Sequence, residues 1–377
     1  MRNLVIRPLL AVIVAAAVSL TAGVADPSTA HAAAAPTVFG VYAGSGQGAA
    51  IQRLGSQLGR QPTYAMEFTD GSSWETISDP WWQLQQWSGT SYRMIWGASI
   101  LPSSGASLAI GATGAYDHYF VTLAQNMVAA GQGDAIIRLA WEFNGDWFPW
   151  AAAGQAPAFI AYWQHIVTAM RSVPGANFAF EWNPTRGTSL NLADYYPGNS
   201  YVDIIGLDVY DTEWASYPGA VREFAAMETQ QNGLQWMADF AAAQGKPMAF
   251  PEWGLGWGPS SSVSGPVVAN GTEVSGGDDP VFIHLMAAWI RSHNVAEATF
   301  WDYGTSSVSD GQNPLTLAAL QAEFGQLGSP VSAREILVAP RALLPEAPVT
   351  IAFPLLALAV FAGWAAVRRR RDPRAST

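Results

Sequence analysis

Ala135-Ile136-Ile137-Arg138-Leu139-Ala140-Trp141-Glu142-Phe143-Asn144-Gly145-Asp146-Trp147-Phe148-Pro149-Trp150 begins as an apolar strand and ends in a carboxylate surrounded by indoles. On a pleated strand Arg138, Ala140 and Glu142 share one face, and Ile137, Leu139 and Trp141 share the other. A charged pair on the inner face of so apolar a strand is expensive to bury unless a partner or a function requires it. Beyond the strand, Trp147 and Trp150 stand in a loop, where an indole gains nothing unless a ligand covers it. Flat aromatic faces beside an acid suit a sugar, whose axial C–H groups stack on rings while its oxygens meet polar groups. On this segment alone the structural alternative, Glu142 paired to Arg138, stays open.

Working outward, this strand is one of eight short apolar runs: Val38–Ala43, Thr63–Phe68, Tyr92–Ile100, Ala135–Trp141, Asn177–Trp182, Val202–Val209, Met248–Pro251 and Ala298–Trp301. Ala115–Ala130, Pro157–Arg171, Val221–Ala243, Pro280–Ser292 and Leu315–Leu327 have helical apolar spacing or helix-favouring composition. Strands that mostly alternate with helices predict an α/β fold, a (β/α)8 TIM barrel forming a single catalytic domain over residues 36–328. A doubly wound open sheet is the competing fold. Gly44-Ser45-Gly46-Gln47-Gly48, after the first run, lacks the lysine and spacing of a phosphate loop.

A second carboxylate lies in Pro247-Met248-Ala249-Phe250-Pro251-Glu252-Trp253-Gly254, again an apolar strand ending in Glu followed by Trp. Glycoside hydrolysis needs two carboxylates flanking the scissile bond, one to protonate the leaving oxygen and one to attack or to activate water. By the strand count these two glutamates end strands four and seven, and barrel active sites form at the C-terminal strand ends. The chain here resembles glycoside hydrolase family 26, the family of many endo-β-mannanases. That family's marker on strand four is an Arg, then His-Glu, then Asn-Gly and a Trp-rich tail, with a nucleophilic Glu ending strand seven. The resemblance implies a retaining enzyme without cofactor or metal, with Glu142 as acid/base and Glu252 as nucleophile. It implies substrate contacts from Arg138, Trp141, Asn144, Trp147, Trp150 and Trp253. Trp141 stands where the family has His, so β-1,3/1,4-glucan and β-xylan stay beside β-1,4-mannan as candidate backbones. A carbohydrate-binding barrel without turnover and a transglycosylase are the rival readings.

Other strand ends add candidates. In Phe178-Ala179-Phe180-Glu181-Trp182-Asn183-Pro184, Trp182 is the expected wall of the sugar site, by the resemblance, and Glu181 a structural partner of Arg186. Gly206, Asp208 and Tyr210 share a side of strand six, so Tyr210 can donate to the nucleophile and Asp208 can bind a sugar hydroxyl or join a rim network. Trp301, at the end of strand eight, is a candidate floor for the subsite next to the cleaved bond. The loop Asp70 to Ser88, with Trp74, Trp81, Trp82 and Trp87, is a functional candidate. The five histidines show no metal-ligand spacing, and Asp278-Asp279 reads as a helix cap before Pro280.

The termini read as addresses. Arg2 and Arg7, the apolar stretch Leu9 to Ala22 and Ala30-His31-Ala32 form an expected signal peptide over residues 1–32. Zero cysteines in an exported chain means no disulfide framework, so stability must come from a large core. Residues 329–348 read as a linker containing Leu344-Pro345-Glu346-Ala347-Pro348, similar to a Gram-positive sorting pentapeptide but with Ala347 and Pro348 in place of Thr and Gly. Residues 349–367 are uncharged and apolar enough to span a bilayer, and the tail 368–377 opens with four arginines that hold it inside. The expected place is the outer face of a bacterial membrane or wall. Between Ala33 and Leu343, 11 Lys plus Arg against 26 Asp plus Glu give −15, which argues against nucleic acid and polyanionic glycans and suits a neutral polysaccharide. A monomer is expected.

Overall fold

The computed structural model describes residues 38–211, 220–256, 267–269, 272–274 and 277–325. The expected signal, linker, membrane span and basic tail lie outside the described residues. Among the described residues no helix is long and apolar enough to cross a membrane.

Eight parallel strands close on themselves. They are Phe39–Tyr42, Tyr64–Phe68, Arg93–Ala98, Ile136–Leu139, Ala179–Trp182, Ile204–Gly206, Met248–Leu255 and Val295–Trp301, here the first to eighth strands. Each pairs with the next, and the eighth pairs with the first from Phe39↔Ala298 to Tyr42↔Trp301. The expected barrel is the fold. Both faces of the sheet are covered, which is why the strands read as continuous apolar runs rather than alternating ones. Ile137, Leu139, Phe180, Trp182, Phe250, Trp253 and Phe300 point outward into the core beneath the helices. Tyr42, Met66, Ile95, Ile136, Ile204 and Ala249 fill the barrel lumen. Higher in the lumen the lining turns polar, with Arg138, Glu181, Glu297 and Thr299 all fully buried. Gly206 makes room there, since a Cβ at that position would lie 2.6 Å from Glu181 Oε1.

Helices Asp117–Ala129, Ala156–Arg171, Pro280–Ser292 and Pro314–Phe324 fall where periodicity places them. The expected helix over Val221–Ala243 is two, Ala220–Thr229 and Leu234–Gln244, broken where Asn232 adopts φ 56° ahead of Gly233. Helix Gly48–Leu58 was not read from the Gly-rich segment, although Ile51, Leu54 and Leu58 carry the spacing of its buried face. The Trp-rich stretch after strand two is not one loop. It holds two short helices, Trp74–Ser78, started by a capping box between Ser73 and Thr76, and Trp81–Trp87. Asp278-Asp279 caps two helices. Asp279 accepts the Val281 and Phe282 N–H groups, while Asp278 accepts those of Leu315 and Thr316.

Candidate active site

Both glutamates reach the C-terminal mouth of the barrel, and neither arrives by simple alternation. The fourth strand stops at Leu139, so the expected run of Arg138, Ala140 and Glu142 along one pleated face ends early. Ala140 and Glu142 instead adopt left-handed φ of 48° and 52°, and among the described residues only Asn232 is a third non-glycine of that kind. Such backbone costs of order 1–2 kcal/mol per residue and persists where surrounding bonds over-determine it. Here the Glu142 N–H donates to Asn183 O at 2.8 Å, and Gly145 N donates back to Glu142 O. Glu252 sits inside the seventh strand. Phe250 pairs with Ala298 but Trp253 pairs with Phe300, so the seventh strand carries one extra residue at Pro251-Glu252. That bulge flips the parity and turns Glu252 inward while Trp253 stays outward.

Arg138 is the hub. Its fully buried guanidinium lies 3.0 Å from Glu252 Oε1, 3.0 Å from Asp208 Oδ2 and 3.7 Å from Glu181 Oε1. Burial opposes its charge, but Asp208, Glu252 and Glu181 more than offset that and hold its pKa above the ordinary value. Asn183 completes the shell, accepting from Arg138 Nε (2.9 Å) and Nη2 and donating to Asp208 Oδ1. The Tyr210 hydroxyl donates to Glu252 Oε2 at 2.8 Å, and the Glu252 N–H donates to Asp208 Oδ1. Glu252 is thus held between a cation and a phenol.

Glu142 is less enclosed. Trp147 Nε1 donates to its Oε2 at 2.8 Å, and Trp147 is 39% exposed. Burial pushes the Glu142 carboxyl up to about 7 and repulsion from Glu252 adds to it, while bonds from Trp147 and Thr185 and the charge of Arg138 pull the other way. One carboxyl is held beside a cation and the other holds its proton near neutrality, which is the split that acid/base chemistry on two carboxylates uses.

Several expected site residues are elsewhere. Trp182 is fully buried outside the barrel against Phe143, Tyr196 and Phe240, and so forms no wall of the cleft. Trp253 is likewise buried, against Phe282, Phe300 and Phe324. Trp150 is a packed loop anchor, stacked on Phe148 and donating Nε1 to Trp141 O, rather than a sugar platform. Trp141 is only 8% exposed, its ring between Phe68, Phe148 and Trp150. The Asn144 amide bonds both N and O of Thr185 and the Thr188 hydroxyl, so it braces the loop that touches Glu142 rather than offering itself to substrate. Asp208 is 1% exposed and joins the Arg138 network instead of a sugar hydroxyl. Glu181 faces Arg138 in the lumen, whereas Arg186 donates to Tyr210 O. Trp301 does flank the site, its ring 4.2 Å from Tyr42 and edge-on to Tyr210 at 6.2 Å. Sequence reading missed Asn183 and Tyr42. Asn183 stands one residue past strand five, the position at which a barrel strand offers its side chain to the mouth.

A model of glycosyl hydrolase family 26 matches residues 122–250, a span that contains Arg138, Glu142, Asn183, Asp208 and Tyr210 and stops two residues short of Glu252. Endoglucanase H of Acetivibrio thermocellus is 27% identical over 158 residues, covering 33% of this chain and 17% of that protein. Mannan endo-1,4-beta-mannosidase of Bifidobacterium adolescentis is 30% identical over 124 residues, covering 32% of this chain and 12% of that protein. The chain therefore spans less than a fifth of the length of either relative. In fold it is similar to the catalytic domain of the GH26 endo-beta-1,4-mannanase of Bacillus sp. JAMB-750, with a TM-score of 0.52, 19% identity, and coverage of 75% of this chain and 84% of that one. Over residues 122–250 the chain is similar in sequence to glycosyl hydrolase family 26, and over three quarters of its length its barrel is similar in fold to a solved GH26 endo-beta-1,4-mannanase domain.

Proposed function

We propose that the chain is a retaining endo-β-glycanase acting on a neutral polysaccharide, with β-1,4-mannan the favoured backbone. The observation that carries this reading is the unequal pair, Glu252 clamped by Arg138 and Tyr210 and Glu142 with its proton affinity raised to about 7. Glu252 attacks the anomeric carbon as the glycosidic C–O bond breaks, and Glu142 passes its proton to the leaving oxygen. Glu142 then takes a proton from water, whose oxygen attacks the same carbon and releases Glu252. Arg138 holds the Glu252 carboxylate in place, and Trp147 orients Glu142. Trp301 and Trp147 supply aromatic faces beside the reacting ring. Support for mannan comes from the mannosidase-named relative and the mannanase-named fold neighbour. The endoglucanase-named relative, with Trp141 in the place of His, favours β-glucan as the second reading.

The test is cleavage of purified mannan, β-1,3/1,4-glucan and xylan, with the first-formed anomer read by NMR. Reducing ends released from one polymer with retained configuration are expected. No cleavage of any, or an inverted first product, overturns the reading. We also propose export through residues 1–32 and tethering through residues 349–367. The full chain should sediment with membranes, and a chain ending near Gly328 should be released; a soluble full-length chain sinks the tether.

A further inference from the structure

Two features of the sequence have no part in the chemistry above, the Gly44-Ser45-Gly46 turn and the Trp-rich segment after strand two. The fold brings them together. The Trp82 ring lies on Gly46, where an added Cβ would meet its Cη2 at 2.7 Å, and the Tyr303 ring lies on Gly44, where an added Cβ would meet its Cε2 at 3.2 Å. Both glycines have positive φ, 104° and 68°, so the turn excludes side chains by conformation as well as by space. Yet the rings so accommodated are not buried: Trp82 is 42% exposed and Tyr303 53%.

The pair is continuous with the candidate active site. Tyr303 lies 5.8 Å from Tyr42 and 6.2 Å from Trp301, and Trp301 in turn meets Tyr210, the donor to Glu252. The supporting backbone is braced by buried carboxylates. Glu67 Oε2 accepts the Gly46 N–H at 2.7 Å and Trp87 Nε1 at 2.9 Å, tying the turn to the helix that carries Trp82. Asp302 Oδ1 accepts from the Ser307 hydroxyl and the Val308 and Ser309 N–H groups, fixing the loop that carries Tyr303. Two exposed rings on so constrained a base form a preorganised surface, and preorganisation favours a ligand rather than packing.

We propose that Trp82 and Tyr303, seated on the Gly44–Gly46 turn, form a stacking platform that extends the cleft past Trp301 and holds a further unit of a β-linked hexose chain. The sugar's C–H face is weakly positive and rests on the negative face of each ring. The proposal rests on the glycanase reading for its substrate class but not for its own test.

Trp82→Ala, Tyr303→Ala and the double variant are compared with the parent chain on β-1,4-mannohexaose and on 2,4-dinitrophenyl β-mannoside, whose single sugar fills only the subsite of the reacting ring. Each single variant should lower kcat/KM on the hexaose about tenfold through KM, the size of one central aromatic contact. The aryl substrate and the melting temperature should not change. Equal losses on both substrates together with a lowered melting temperature would show that the rings only seal the turn. No loss on either would show that they do nothing. Affinity electrophoresis in glucomannan separates this from the catalytic reading. A parent chain that is retarded but cleaves nothing leaves the platform standing and removes the glycanase, provided the double variant migrates freely; a double variant retarded like the parent overturns the platform.

Discussion

Glu142 and Glu252 stand at the mouth of one barrel but are held by opposite means. Glu252 belongs to a strand whose pairing continues to Leu255, and its two carboxylate oxygens meet Arg138 and Tyr210. Glu142 lies past the end of its strand on left-handed backbone, with Trp147, itself 39% exposed, donating to it. The contrast suits the two roles proposed for them. A nucleophile gains from a fixed position, whereas an acid that must later act as a base has to exchange its proton with solvent.

The largest effect should come from the fixed partner. Glu252→Ala removes the proposed attacking atom, and kcat should fall by roughly four orders of magnitude or more. Added azide should restore cleavage with inverted product, and a variant that still cleaves polymer at near-parent rates breaks the assignment. Glu142→Ala should lose most activity on polymer yet keep it on aryl glycosides whose leaving group needs no proton. Equal losses on both substrates would erase the distinction between the two glutamates.

Neighbouring indoles sharpen the comparison at a smaller scale. Trp150→Ala deletes a buried ring and should cost roughly 3–5 kcal/mol in unfolding free energy. Trp147→Phe should leave stability nearly unchanged and act on the proton of Glu142. Because Glu142 must be protonated to work as an acid, kcat/KM of the parent should decline as pH rises through about 7. Losing the Trp147 N–H removes a bond that favours the charged carboxylate, so that decline should move to higher pH by about half a unit. An unmoved pH profile would mean that Trp147 does not tune the acid. The smallest effect concerns the backbone. Ala140→Gly should relieve left-handed strain and stabilise the fold by about 0.5 kcal/mol after the extra chain entropy of glycine is set against it; a destabilised variant would show the conformation to be unstrained.

Much of this was legible from residues. Eight apolar runs gave the strands because a parallel barrel buries both sheet faces, and the helices with regular apolar spacing were found within a few residues. What the sequence hid were departures from period two. A bulge at Pro251-Glu252 and two left-handed residues after Leu139 leave no signal in hydropathy, yet they aim both glutamates. Trp182 and Trp253 were misplaced because an indole beside a strand-end acid is outward as readily as inward. Parity about the observed irregularities, rather than proximity in sequence, separates them from Trp301. Asn183 escaped notice because its role is to bridge Arg138 and Asp208, which come from different strands.

The acids of the lumen carry a thermodynamic consequence. Glu297, whose Oε2 accepts from Thr299, is pushed up to about 7 chiefly by burial, and Glu181 is raised by burial and by the charge of Glu297. A carboxyl with a higher pKa in the folded chain than in the unfolded one binds its proton more tightly when folded. Its contribution is therefore present in full below the ordinary value of 4.5 and is lost as pH climbs through about 7, the reverse of a salt-bridged aspartate. With Glu142 behaving alike, the resting protein stores protons in its barrel, and mild acid should tighten the fold that neutral buffer loosens.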